Sequence, residues 1–121
     1  MVIGIGCDLI NVVRIKKLII RFQHRFLKKI YTPLEIRLAP VQQELLFFYY
    51  ATRFAAKEAY AKAIGYGIGR YIAFHSLQIC NNNQGKPYFD KHPFELENIK
   101  TYLALSDDFP YAMSYVVLTQ D

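Results

Sequence analysis

The chain has 121 residues, a length that suits one compact domain. It is 53% hydrophobic, 16% aromatic and 21% charged, which excludes a disordered chain and supplies a packed core. The net charge of +5 favours acidic partners (phosphorylated ligands, nucleic acid or an acidic protein) without choosing among them.

Val2 to Ile10 reads as a buried strand, apolar and interrupted by small glycines. It is too short for a membrane span, which needs about 18 or more apolar residues, and no other run approaches that length. No basic residue precedes it, so it does not read as a signal peptide, and a cytoplasmic protein is the expectation. Cys7 and Cys80 match no metal-ligand spacing and read as buried, unpaired thiols. Asp8 is the first charge in the chain. A carboxylate at the end of an apolar strand is costly unless it is solvated, hydrogen-bonded or bound to a cation. It caps the next helix or it binds a hard cation.

Asn11 is a candidate cap for a helical pattern running from Val12 to Ile30. Arg14, Lys16, Lys17, Arg21, Arg25, Lys28 and Lys29 fall in this stretch, with no acidic residue between Asp8 and Glu35. With Leu18, Phe22 or Phe26 they form a docking face for an acidic protein, or else a solvated basic surface. Thr32-Pro33 opens a short helix that Ala39-Pro40 closes. Gln42 to Ile64 is the longest helical stretch, closed by Gly65. On it, Arg53 and Lys57 are one turn apart, as are Glu58 and Lys62, while alanines 55, 56, 59 and 63 leave room for a close neighbour. An exposed Glu58–Lys62 pair would be worth only about 0.3–0.5 kcal/mol. The exit Gly65-Tyr66-Gly67-Ile68-Gly69 exposes backbone N–H groups suited to phosphate oxygens. It lies at the negative end of the helix dipole, so a phosphate there must depend on Lys57, Lys62, Arg53 and a cation.

Ile72 to Cys80 reads as a strand, Asn81 to Gly85 as a turn, and Pro87 to Phe89 as the return strand of a hairpin. Lys91 to Asn98 is ambiguous. Ile99 to Leu105 and Tyr111 to Leu118 read as an antiparallel pair. Helices mainly first and strands mainly later indicate an α+β fold, with helices packed on a small, mainly antiparallel sheet. His24, His75 and His92 show no ligand spacing.

Three motifs carry a resemblance. Gly4-Ile5-Gly6-Cys7-Asp8-Leu9-Ile10 with Arg14-Ile15, Arg53-Phe54-Ala55-Ala56-Lys57-Glu58-Ala59 with Lys62-Ala63-Ile64-Gly65, and Asn83-Gln84-Gly85-Lys86-Pro87-Tyr88 resemble, in order and spacing, the motifs of bacterial holo-acyl-carrier-protein synthases. These are small phosphopantetheinyl transferases, and the resemblance spans nearly the whole chain as a single domain, 1–121. It implies transfer of the 4′-phosphopantetheine arm of coenzyme A to a serine of acyl carrier protein, with release of adenosine 3′,5′-bisphosphate. It implies Mg²⁺ held by Asp8 and Glu58 on the coenzyme A pyrophosphate. Glu58, directly or through a water, is then the acceptor of the serine proton, with Lys62 beside it as the second catalytic group. Arg53, Lys57, Lys62 and Gly65 become coenzyme A contacts, with Gly85, Lys86 and Pro87 near its nucleotide. Arg14 matches a carrier-contacting position, and Arg21 and Arg25 join it by location and charge. A homotrimer with sites between subunits is also implied. The family's last motif ordinarily reads Ser-x-Ser/Thr-His. Here Ser106 is retained as a phosphate contact, Ala104 replaces the first hydroxyl residue, and Asp107 replaces the histidine. Two alternatives stand beside this reading: a non-catalytic basic module for RNA or an acidic protein, with nucleic acid the weaker choice, and a degenerate member that binds a carrier without modifying it.

Overall fold

The computed structural model describes residues 1–69 and 71–121; Arg70 and the Leu96 side chain lie outside the described residues. The chain runs β1 (Val2–Asn11), α1 (Val12–Phe22), α2 (His24–Ile30), α3 (Pro33–Arg37) and α4 (Gln43–Ile64). It continues through β2 (Gln78–Asn81), β3 (Pro87–Lys91), β4 (Ile99–Asp108) and β5 (Tyr111–Gln120), with single 3₁₀ turns at Phe74–Ser76 and Glu95–Glu97. β1, β5 and β4 form an antiparallel sheet in that order, and β2 and β3 form a separate antiparallel hairpin. The α+β expectation holds.

Local chemistry accounts for most boundaries. The Asn11 side chain accepts the Val13 N–H at 2.9 Å and starts α1. Thr32 and Glu35 form a reciprocal capping box around Pro33. Gly65, at φ 92°, ends α4. Two sequence expectations fail. The helix expected from Val12 to Ile30 breaks at Gln23, which adopts φ 49° and returns its N–H to the Ile19 carbonyl. The strand expected from Ile72 is a 3₁₀ turn until Gln78, because the Phe74 carbonyl turns inward to accept from the Lys57 ammonium at 3.2 Å.

α4 lies across the β1–β5–β4 sheet and is buried on most sides from Phe47 to Ala63. Its first half packs with α1 and with Ile10, Ile30, Tyr31 and Ala112; its second half packs with Ile72, Leu77, Ile79, Phe89, Leu103 and Val116. The alanine face has the use expected of it. A Cβ on Gly4 would stand 2.0 Å from the Ala63 carbonyl oxygen, and one on Gly6 2.0 Å from that of Ala59. The G6A variant should therefore lose stability at or above the top of the ~1–3 kcal/mol range for overpacking, since helix backbone cannot step aside. Urea unfolding measures this, and an unchanged midpoint would contradict the close approach.

The opposite face of the sheet carries Ile3, Ile5, Leu9, Met113, Tyr115 and Tyr102, all exposed, with Ile5 56% and Leu9 64% accessible. Cys7 is on this face and exposed, and Cys80 is half-buried, so neither is the buried thiol expected. No described helix is long and apolar enough to cross a membrane.

Candidate active site

The alternation of β1 puts Gly4, Gly6 and Asp8 on the side facing α4. The two glycines seat the strand directly on Ala59 and Ala63, and this close seating lets Asp8 reach the helix. The Lys62 ammonium donates to Asp8 Oδ1 at 2.9 Å and to the Cys7 carbonyl at 3.1 Å. Lys62 is thus paired across elements, not with Glu58 along the helix. Its side chain stays 57% exposed, and the hydrogen bond to Asp8 is the first cause of its raised pKa. It remains an ammonium at neutral pH.

Glu58 is half-buried one turn before Lys62. Burial pushes its carboxyl pKa above the usual range, and the nearby Asp8 charge pushes it further; Lys62 and Arg14 oppose the shift. Asp8, Glu58 and Lys62 therefore come together, with the Arg14 charge within reach. A carboxylate whose ionisation is opposed by burial and by a second carboxylate nearby suits a hard cation. Mg²⁺ typically takes only one or two protein carboxylates, with water and phosphate completing its shell. Among the described residues no group of three or more His, Cys, Asp or Glu side chains is assembled, so the pair fits a cation shared with a phosphorylated ligand better than one caged by protein.

Lys57 does not join this cluster. It is fully buried, and its ammonium donates to Glu35 Oε1 at 2.6 Å, to the Ile30 carbonyl at 2.9 Å and to the Phe74 carbonyl. All three donors are spent inside the protein, which corrects the expectation of a phosphate contact. Burial lowers its pKa and Glu35 opposes the shift. Glu35 also accepts the Thr32 and Ile79 backbone N–H groups. The pair ties α4 to α2, α3 and β2.

Arg53 belongs to a second constellation. It lines a cavity of about 350 Å³ with Phe48, Tyr49, Gly85, Pro87 and Asp107. Its guanidinium lies 4.1 Å from the Tyr49 ring centre, donates to Asn81 Oδ1 at 3.0 Å and to Thr52 Oγ1 at 3.3 Å, and leaves a buried Nε without a partner. Tyr49 and Asn81 were not anticipated, although the four-residue spacing from Tyr49 to Arg53 carries the signal for the first. Gly85 sits at φ 83° in a turn organised by Asn82, whose Oδ1 accepts the Gln84 and Lys86 N–H groups at 2.9 Å. Lys86, next to Gly85, is exposed, as is Gly65, three residues after Lys62 at the end of α4. Ser106 pairs with Met113 on the outer sheet face, so a single chain does not bring it to either constellation. Arg53 and Glu58 are five residues apart on α4, about 140° around it, and point to different sides.

Arg14, Arg21 and Arg25 are exposed along α1 and α2. Arg25 lines an apolar groove of about 550 Å³ with Leu18, Phe22, Phe26, Phe54 and Phe74. Of the three arginines, Arg25 lines this groove, while Arg14 lines another with Lys17 and Leu18.

Residues 4–116 match the model of the 4′-phosphopantetheinyl transferase superfamily. The chain belongs to that superfamily. It is 38% identical to the holo-(acyl-carrier-protein) synthase of Wolbachia pipientis subsp. Culex pipiens, over 98% of both chains. It superposes on a holo-(acyl-carrier-protein) synthase from Bacillus anthracis str. Ames, in complex with CoA (3′,5′-ADP), at a TM-score of 0.89 and 34% identity, covering 100% of this chain and 99% of that one. The holo-(acyl-carrier-protein) synthase of Neisseria meningitidis gives a TM-score of 0.89 at 35% identity, covering 99% and 100%. Relatives in this transferase superfamily thus share the whole of the described fold.

Proposed function

We infer that this chain is a holo-acyl-carrier-protein synthase, transferring the 4′-phosphopantetheine arm of coenzyme A to a serine of acyl carrier protein. The observation that carries this is the Asp8–Lys62–Glu58 cluster, in a chain aligned over nearly its full length with such enzymes. The serine oxygen attacks the pantetheine-bearing phosphorus. The bond from that phosphorus to the oxygen shared with the nucleotide phosphate breaks, and adenosine 3′,5′-bisphosphate leaves. Glu58 takes the serine proton, a role suited to a carboxylate whose affinity for protons is raised. Lys62, held protonated by Asp8, balances charge growing on the leaving phosphate. Mg²⁺ held by Asp8 and Glu58 would supply further neutralisation of the pyrophosphate.

The carrier docks on the basic, apolar surface of α1 and α2, where Arg14, Arg21 and Arg25 meet its acidic side chains. Three copies associate through the exposed apolar face of β1 and β5. That association would add an Arg53 pocket from a neighbour to each Asp8–Glu58 cluster, two constellations that share no residue within one chain. Sedimentation at a single chain mass would overturn the trimer.

The direct test incubates the protein with coenzyme A, Mg²⁺ and apo-carrier. The carrier should gain the mass of one phosphopantetheine arm; no gain with several carriers overturns the transferase. In the same assay Arg25→Glu should raise KM for carrier about tenfold at unchanged kcat, since reversing a charge at a docking face acts mainly on encounter and complex stability.

A further inference from the structure

The cavity beside Arg53 contains an acid that the reaction above does not use. Asp107 lies near the end of β4, on the same side as Leu103 and Leu105, opposite Ala112 and exposed to solvent. Of the described residues lining this cavity, Arg53 supplies the positive charge and Asp107 the negative one, so the lining sums to zero. The guanidinium is already held by Asn81, Thr52 and the Tyr49 ring. Lys86, next in sequence to Gly85, is not among the described residues that line this cavity, whereas Asp107 is.

The turn residues that match the nucleotide side of the transferase site, Gly85 and Pro87, line this same cavity, and Phe48 and Tyr49 supply aromatic walls for a base. Coenzyme A differs from dephospho-coenzyme A at one place on that nucleotide, a ribose 3′-phosphate in place of a hydroxyl. A phosphomonoester carries about −1.5 to −2 charges near neutral pH. A phosphate seated in this cavity of about 350 Å³ is attracted by Arg53 and repelled by Asp107, since both line it. The aromatic walls and the turn do not distinguish the two donors.

We propose that Asp107 sets the donor specificity of this chain, so that dephospho-coenzyme A serves as donor about as well as coenzyme A. The proposal rests on the transferase reading and adds to it a choice of substrate. The carboxylate cancels the advantage that a cationic pocket gives to the 3′-phosphorylated nucleotide.

The test measures kcat/KM for both donors with wild-type protein, Asp107→Asn and Asp107→His, at low and moderate salt. Wild type should show a coenzyme A to dephospho-coenzyme A ratio within about threefold of unity. Asp107→Asn should raise the ratio on the order of tenfold, through KM for coenzyme A alone, and added salt should shrink the difference. Calorimetry gives an independent readout: Asp107→Asn should bind adenosine 3′,5′-bisphosphate about tenfold more tightly and adenosine 5′-monophosphate no differently. A wild-type preference for coenzyme A of a hundredfold or more, or a ratio unmoved by Asp107→Asn, overturns the proposal while leaving the transferase intact. No transfer from either donor overturns both.

Discussion

Glu58→Gln should lower kcat/KM for carrier modification by about 10³- to 10⁴-fold while leaving the melting temperature within a few degrees of wild type. Removing a general base costs about 10²–10⁴ in rate, and Glu58 has a second task as a cation ligand. The fold does not need its charge. The carboxylate is half-buried, and desolvation together with Asp8 penalises its ionised form. Gln keeps the shape and removes that penalty. The two tasks separate experimentally. If Glu58 only held the cation, a tenfold increase in Mg²⁺ would restore most of the rate, because Asp8 remains as a ligand. If it also accepts the serine proton, saturating Mg²⁺ leaves a residual defect of about a hundredfold or more. Wild-type turnover in Glu58→Gln would remove both roles.

The elements legible in the sequence are those whose cause is local. β1 follows from its short apolar run, although only the face toward α4 is buried and not the whole strand as expected. The β4–β5 pair follows from two apolar runs joined by a short connection, and α4 from its helical pattern and the glycine after it. Where a cause lies elsewhere in the chain, pattern reading fails. Gln23 breaks the first helix with no glycine or proline to announce it. The strand expected from Ile72 gives way to a turn because Lys57, on another element, needs the Phe74 carbonyl. Charges went the same way. Helical spacing pairs Arg53 with Lys57 and Glu58 with Lys62, yet the three cations reach off the helix to Asn81, Glu35 and Asp8, Arg53 keeping Tyr49 and Thr52 on α4 as well. Spacing alone did not show that Asp8, Glu58 and Lys62 meet, as they do in the fold; the motif resemblance named them. It could not separate Lys57 from them, because burial of a lysine is set by an acid 22 positions upstream, and no periodicity within α4 reports that acid.

Lys57→Met should destabilise the protein by about 3–5 kcal/mol, the cost of removing one partner of a buried ion pair. For a chain of this length that corresponds to a fall in melting temperature on the order of 10–20 °C. The side chain and its partner Glu35 are both inaccessible to solvent. Without the ammonium, the Glu35 carboxylate keeps only the Thr32 and Ile79 N–H groups, and the Ile30 and Phe74 carbonyls lose a donor. Glu35→Met alone should also destabilise strongly, since it strands the Lys57 ammonium and opens the capping box of α3. The double variant should be more stable than the sum of the two losses predicts, by more than about 1 kcal/mol, because each single change leaves an unpaired charge that the other removes. It should not recover fully, as two backbone N–H groups remain unmet. Urea unfolding of the four proteins gives the coupling. Well below its melting temperature, Lys57→Met should keep the wild-type KM for coenzyme A, because none of its three donors faces a ligand. A variant as stable as wild type with KM for coenzyme A raised tenfold would return Lys57 to the phosphate-binding role that its place in the motif suggests.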